Sequence, residues 1–168
     1  MTGPRTTEED RIGVPVGFDV PAGWTSVDPA TSGAPGAAFV LLADGDWAGF
    51  TPNVTVGVTR RSDDAAIEAA AEEAVRRLTA AGFQVSVVDN QQVGGDRAPG
   101  VAQVLGLWAA GLRLVQSQVH LTIPLGDAPN DRIVVELACT CRPDQAARVV
   151  PDFQKLVASF HLRQGEQQ

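Results

Sequence analysis

Acid–base chemistry needs a titratable ring beside a carboxylate, and this chain offers few rings. It has two histidines, His120 and His161. If residues 112–123 and 132–140 form an antiparallel hairpin, matching the apolar faces sets Val119 against Leu137 and Leu121 against Val135. That register places His120 opposite Glu136 on the other face. Gln116, Gln118, Arg132 and Thr140 share this face, and Ala102, Gly106 and Trp108 are expected to join it from the preceding strand. Three strands would then present a polar patch with an aromatic at its edge, as ligand and partner surfaces often do. The plainer reading is a solvent-facing side of the sheet, partly covered by the terminal helix. Trp47, in the glycine-flanked run Asp44-Gly45-Asp46-Trp47-Ala48-Gly49-Phe50, is either an aromatic anchor for a partner or a lid over the sheet edge.

Other chemistries lack their residues. There is no HxxxH, HExxH or CxxC spacing for a metal and no GxSxG elbow for a nucleophile. Gly94-Gly95 with Gly100 lacks the Lys-Ser/Thr of a phosphate loop. Asp44-x-Asp46 reads as a turn. The sequence therefore assigns no catalytic residue, no metal ligand and no cofactor.

The elements that must position the patch follow from periodicity. A helix is expected over residues 63–81, with Ser62 as N-cap, Gly82 just past its end, and Ile67, Ala71, Ala74, Val75 and Leu78 as its apolar stripe. Glu72–Arg76 and Glu73–Arg77 stand at i,i+4 on its outer side. Residues 143–160 are expected to form two short helices, 143–149 and 151–159, because Pro151 should break a continuous one. Strands are expected at 17–20, 37–43, 53–60, 84–92, 100–108, 112–123 and 132–140, with residues 25–36 a long loop. Short connections between the last three favour an antiparallel meander.

The chain has 168 residues, of which 44% are hydrophobic and 20% charged, a composition that excludes disordered and fibrous classes. Residues 1–12 read as a flexible N-terminus, 13–163 as one domain and 164–168 as a polar tail. Thirteen basic against twenty acidic residues give a net charge of −7, and six of those seven negative charges fall in residues 1–84. Such a balance argues against nucleic acid as a partner. The longest apolar run, residues 37–43, is far too short to insert into a membrane. Cys139 and Cys141 would lie on one strand face as reduced thiols, with Cys139 in the core, and suit a reducing compartment. With no leader read at the N-terminus, the expected location is cytoplasmic.

One layout resembles a known family. It opens with Phe18-Asp19-Val20-Pro21-Ala22-Gly23-Trp24 and continues with the strand Phe50-Thr51-Pro52-Asn53-Val54-Thr55-Val56. A long helix, a strand meander and a final helix ending Ala158-Ser159-Phe160 follow. This is similar to the Mog1/PsbP-like fold, and within it to the actinobacterial LpqN/LpqT-type proteins. The resemblance covers about residues 14–163. It implies an α+β fold, an antiparallel β-sheet flanked by helices on both faces (an α/β/α sandwich), with Trp24 in the core. It carries over no catalytic residue. Relatives include photosystem subunits, an adaptor for a nuclear-transport GTPase and bacterial lipoproteins; the sequence is expected to differ from the last in lacking a leader and a lipid-attachment cysteine. Twelve arginines to one lysine, with abundant alanine, fit a GC-rich bacterial source.

The functional expectation is a non-enzymatic module that binds a protein partner or a small ligand. Its candidate binding residues are Trp47, Trp108, Gln116, Gln118, His120, Arg132 and Glu136. One alternative is a small enzyme using His120 and Glu136 as an acid–base pair. The other is an acidic immunity or chaperone-like partner of a basic effector.

Overall fold

A computed structural model of the chain describes residues 16–162, other than Pro35, Arg97, Asp127 and Pro129. The loose N-terminus and polar tail expected at 1–12 and 164–168 lie outside the described residues. Along the chain run β1 (Val16–Gly17), β2 (Trp24–Val27), β3 (Phe39–Ala43), β4 (Asn53–Arg61) and helix α1 (Ile67–Ala80). The meander β5 (Gln84–Gly94), β6 (Pro99–Ala109), β7 (Leu112–Pro124) and β8 (Arg132–Cys141) follows. A 3₁₀ turn (Pro143–Gln145), helix α2 (Ala146–Ser159) and β9 (His161–Leu162) complete the order.

Seven strands make one antiparallel sheet in the order β2-β3-β4-β8-β7-β6-β5, and β1 pairs separately with β9. Although β4 precedes the meander, it docks beside β8, from Asn53 opposite Thr140 to Arg61 opposite Arg132. The chain must then travel from the middle of the sheet to its far edge, and α1 makes that crossing. Strand alternation separates the two covering layers. Val134 of β8 and Val101 of β6 pack with Ile67, Ala70 and Ala71 of α1. Val135, Leu137, Cys139 and Cys141 point to the other side, where Val149, Phe153 and Leu156 of α2 complete the main core with Phe18, Phe39, Leu41 and Trp24. Phe18 and Phe39 meet edge to face at 5.1 Å. Trp24 is buried as expected, and its Nε1–H donates to Asp152 Oδ2 at 2.9 Å, tying β2 to α2.

Several boundaries move for physical reasons. The expected loop 25–36 begins as strand, because Trp24–Val27 pairs along Ala43–Val40 and extends the sheet by one edge. α1 starts at Ile67 rather than Asp63, with Ala66 and not Ser62 at its N-cap. The Asp63 carboxylate is drawn instead to Arg61 (2.8 Å) and Arg132 (3.0 Å), which hold its pKa down at about 2. At the other end Gly82 adopts φ +105°. Its N–H bonds Thr79 O and the Phe83 N–H bonds Leu78 O, the paired closure that a left-handed residue after a helix permits.

Pro151 does not break α2, which runs through it. The residue is exposed, as is Ala147, whose carbonyl loses its partner, so that carbonyl remains open to water. Val149, Phe153 and Leu156 continue one buried stripe across the proline. Burying them contributes about 1.5–3 kcal/mol each, which offsets a local cost of about 3 kcal/mol.

Cys139 and Cys141 are both buried and free. Burial pushes the Cys139 thiol far above the usual range and the Cys141 thiol up to about 11.

The burial of α1 makes a graded prediction. Ile67→Ala removes a buried side chain and should destabilise by roughly 2–5 kcal/mol. Leu78→Ala, at a half-buried position, should cost visibly less. Urea midpoints of the two variants check the order.

Candidate functional site

Between its apolar contacts, the face beneath α1 carries a covered polar strip. Gln103 (β6), Gln118 and His120 (β7) and Thr140 (β8) are all buried there. α1 meets them with Ala70, Ala71 and Ala74, whose small side chains leave room for a layer of amides. Buried amides are costly unless bonded, and these are bonded in series. Asn90 Nδ2 donates to Gln103 Oε1 (3.2 Å), and Gln103 Nε2 donates to Gln118 Oε1 (2.7 Å) and to the Ala71 carbonyl of α1 (3.2 Å). Gln118 Nε2 then donates to Gln116 Oε1, and Gln116 Nε2 to Thr140 Oγ1 (2.9 Å).

His120 ends a branch of this chain. Its Nε2 lies 2.9 Å from Gln118 Oε1. A carbonyl oxygen only accepts, which assigns the proton to Nε2 and leaves Nδ1 as a bare acceptor. The ring is fully buried, and Nδ1 has no hydrogen-bond partner. Burial, helped by the nearby Arg77 charge, lowers the pKa of the ring from its ordinary value, while Glu136 opposes the shift.

The ring lines a cleft of about 420 Å³ between α1, β4 and β8. Its opening exists because Gly57 of β4 stands opposite Glu136 with no side chain, and a Cβ there would meet nothing within 4 Å. Glu73, Arg77, Arg61 and Glu136 line the same cleft. Arg77 crosses from α1 to the sheet and donates to Glu136 at 2.5 Å, with Arg77 60% and Glu136 27% exposed. Arg61 reaches Glu73 at 3.3 Å. The expected outer pair Glu73–Arg77 is thus replaced by two links between helix and sheet.

The expected site residues divide. His120 and Glu136 do face each other in register, flanked by Val119–Leu137 and Leu121–Val135. Each bonds elsewhere, however: His120 to Gln118 and Glu136 to Arg77. Gln118, buried, and Gln116, half-buried, belong to the amide series. Arg132 shares their face, but its guanidinium binds Asp63 and the Ala65 carbonyl (2.8 Å), anchoring the entry to α1.

Trp108 is a correction: it lies on the opposite face with Arg113, whose guanidinium is 5.9 Å from the ring centroid. The two-residue turn Ala110-Gly111, at φ 51° and 79°, pairs Ala109 with Leu112 and therefore Trp108 with Arg113. Gly106 and Ala102 go with it. The covering element is also not the terminal helix but α1. Trp47 packs against the main core, donates from Nε1 to Asp44 O at 2.8 Å and carries Arg148 over its ring at 4.4 Å. The sequence reading missed Gly57, Arg61, Glu73, Arg77 and Gln103. Gly57 was the visible signal, a glycine between Val56 and Val58 on the polar side of an alternating strand.

Among the described residues no group of three or more His, Cys, Asp or Glu is placed to hold a metal ion, and no helix is long and apolar enough to cross a membrane.

The family described as "Probable lipoprotein LpqN" matches residues 2–163. No curated protein matches the chain. Among solved structures, the chain is similar to LpqN of Mycobacterium tuberculosis, described as involved in cell envelope biogenesis, at 13% identity and a TM-score of 0.66. The match covers 89% of this chain and 83% of that one. It is also similar to the cyanobacterial PsbP of Synechocystis sp. PCC 6803 (16% identity, TM-score 0.55, 88% and 86% covered). A third likeness is to the Saccharomyces cerevisiae Ran-binding protein Mog1p (14%, 0.54, 88% and 90%). At these identities the structures speak to the fold, and they agree with the expected Mog1/PsbP-like architecture.

The cytoplasmic location expected above is overturned by the family match, since a family of probable lipoproteins is not a cytoplasmic one. Free cysteines misled there: thiols this deeply buried stay unpaired in any compartment because nothing reaches them.

A neutral buried histidine leaves a pH signature. The unfolded ring takes a proton below its ordinary value of 6.5, whereas the folded ring resists until the lower native value. Stability should therefore fall as pH drops below about 6.5 and stop falling from this source once the native value is passed. His120→Gln should remove that component. Urea midpoints of both proteins between pH 8 and 5 test it, and parallel curves would contradict the assignment.

Proposed function

The chain belongs to the LpqN family of probable lipoproteins, and on that premise we propose that it is a non-enzymatic binding protein of the cell envelope whose site is the cleft beneath α1. One observation carries this reading: a buried histidine with an unpartnered Nδ1 lines an open cleft of about 420 Å³. A polar atom left unsatisfied in a native interior costs stability, and ligand contact is one reason for a fold to retain it. Binding is favoured over acid–base turnover because burial lowers the proton affinity of the His120 ring and Glu136 is paired with Arg77 rather than with the imidazole. Neither cysteine serves as nucleophile in this cleft, since both point to the opposite face with raised thiol pKa values. The partner class remains a protein or a small ligand; the net charge of −7 disfavours nucleic acid. M. tuberculosis LpqN is described as involved in cell envelope biogenesis, which is in keeping with the setting, and yeast Mog1p, of like fold, is described as Ran-binding, which is in keeping with a binding role.

Filling the cleft tests the reading. Gly57→Leu projects a side chain into empty space from ordinary strand backbone, so its stability should stay within about 1 kcal/mol of the wild type. Fragment-library and envelope-extract ligands that move the His120 ring resonances in NMR spectra should fail to do so in Gly57→Leu. Ligands that bind the filled variant equally well would place the site elsewhere.

A further inference from the structure

We propose that the cleft recognises a cationic nitrogen group, a primary ammonium or a guanidinium, which takes the place of Arg77 on Glu136 and donates a hydrogen bond to His120 Nδ1. The proposal rests on the reading of the cleft as a binding site and specifies what that site accepts.

Two acceptors sit side by side on the floor. Glu136 is a carboxylate on β8, and its register partner His120 on β7 offers a bare lone pair. The Nε2–H of the ring is fixed on Gln118, so Nδ1 can only accept while the ring is neutral. Burial keeps it neutral, and the Arg77 charge lies close enough to disfavour protonation further. An anion seated at these two acceptors would meet a carboxylate and a lone pair; the donors of the lining are Arg61 and Arg77, paired with Glu73 and Glu136, and the hydroxyls of Thr55 and Thr59. A hydroxyl could satisfy Nδ1 but could not replace the charge of Arg77 on Glu136, which would remain half-buried and uncompensated. A group with only donors and a positive charge satisfies both acceptors at once.

The fold already seats such a group. The Arg77 guanidinium reaches from α1 to Glu136 at 2.5 Å while its side chain stays 60% exposed. A long, mostly exposed side chain held by one ion pair is released at little cost, since water screens the pair and the freed side chain regains its rotamers. Arg77 is thus a tethered stand-in that a ligand cation displaces into solvent. The net charge of −7 favours the approach of cations over anions.

NMR titration of the full chain with four matched probes tests this, reading the His120 ring and Glu136 side-chain resonances: butylammonium, propylguanidinium, butanol and butyrate. The two cations should shift these resonances saturably, and butanol and butyrate should not. Glu136→Gln, close in shape, should weaken cation binding about ten- to hundredfold. Arg77→Ala should strengthen it several-fold by removing the internal competitor. That direction is the opposite of what a purely structural Arg77 would give. Blocked Gly-Lys-Gly and Gly-Arg-Gly peptides distinguish the source: tighter binding than the small amines assigns the cation to a polypeptide, and equal binding to a free amine. If butanol or butyrate moves the same resonances as strongly as the cations, or if Arg77→Ala weakens binding, the cation assignment is overturned while the site stands. If no probe moves any cleft resonance, the cleft reading itself fails.

Discussion

A strand covered on both faces has nowhere to put its polar residues except inside. β7 and β8 sit in the middle of the sheet with α2 and the main core on one side and α1 on the other. Because side chains alternate, committing Val119, Leu121, Val135 and Leu137 to the core sends Gln118, His120 and Glu136 under α1 without further choice. The amide series, the alanine face of α1 and the histidine tautomer are consequences of that parity. A one-residue slip would bury three polar groups against α2 and expose the core set to the amides, which is why the register is so strongly held.

The charges show a second level of order. Arg61, Arg77 and Arg132 each bridge α1, or its entry, to the sheet. Exposed ion pairs of this kind add little stability individually. Their effect is positional: α1 contacts the sheet through Ile67, its alanines and the half-buried Val75 and Leu78, and the arginines fix where along the sheet it rests. Arg77 differs from the other two in being mostly solvent-exposed, whereas Arg61 and Arg132 are largely covered.

The sequence made some of this legible and withheld the rest for definable reasons. His120 opposite Glu136 was readable because both β7 and β8 alternate clearly in that stretch. Trp108 was misplaced because β6 is apolar on both faces over Val104, Leu105 and Leu107, so period alone could not set its parity. The Ala110-Gly111 turn held the answer, but alanine at positive φ is not a usual turn signal. Helix pairing rules fitted Glu73–Arg77 as well as any surface pair, and only the docking of β4 beside β8 brings Arg61 and Glu136 close enough to compete. By sequence Pro151 reads as an interior breaker, whereas the solvent side of a short amphipathic helix tolerates it.

The placement of β4 also bears on the order in which the molecule assembles. The meander β5–β8 joins neighbours in sequence through short turns and can close early, since short loops cost little chain entropy. β4 must find β8 across 71 residues at Arg61–Arg132 and 87 at Asn53–Thr140. Contacts so distant in sequence are late ones in a topology-limited search. Gly57 and Arg61 enter the cleft only with that strand, and α1 is tethered to its end. The cleft therefore takes its shape after the meander, and a chain halted before that step would already hold the meander while its buried glutamines and histidine still faced water.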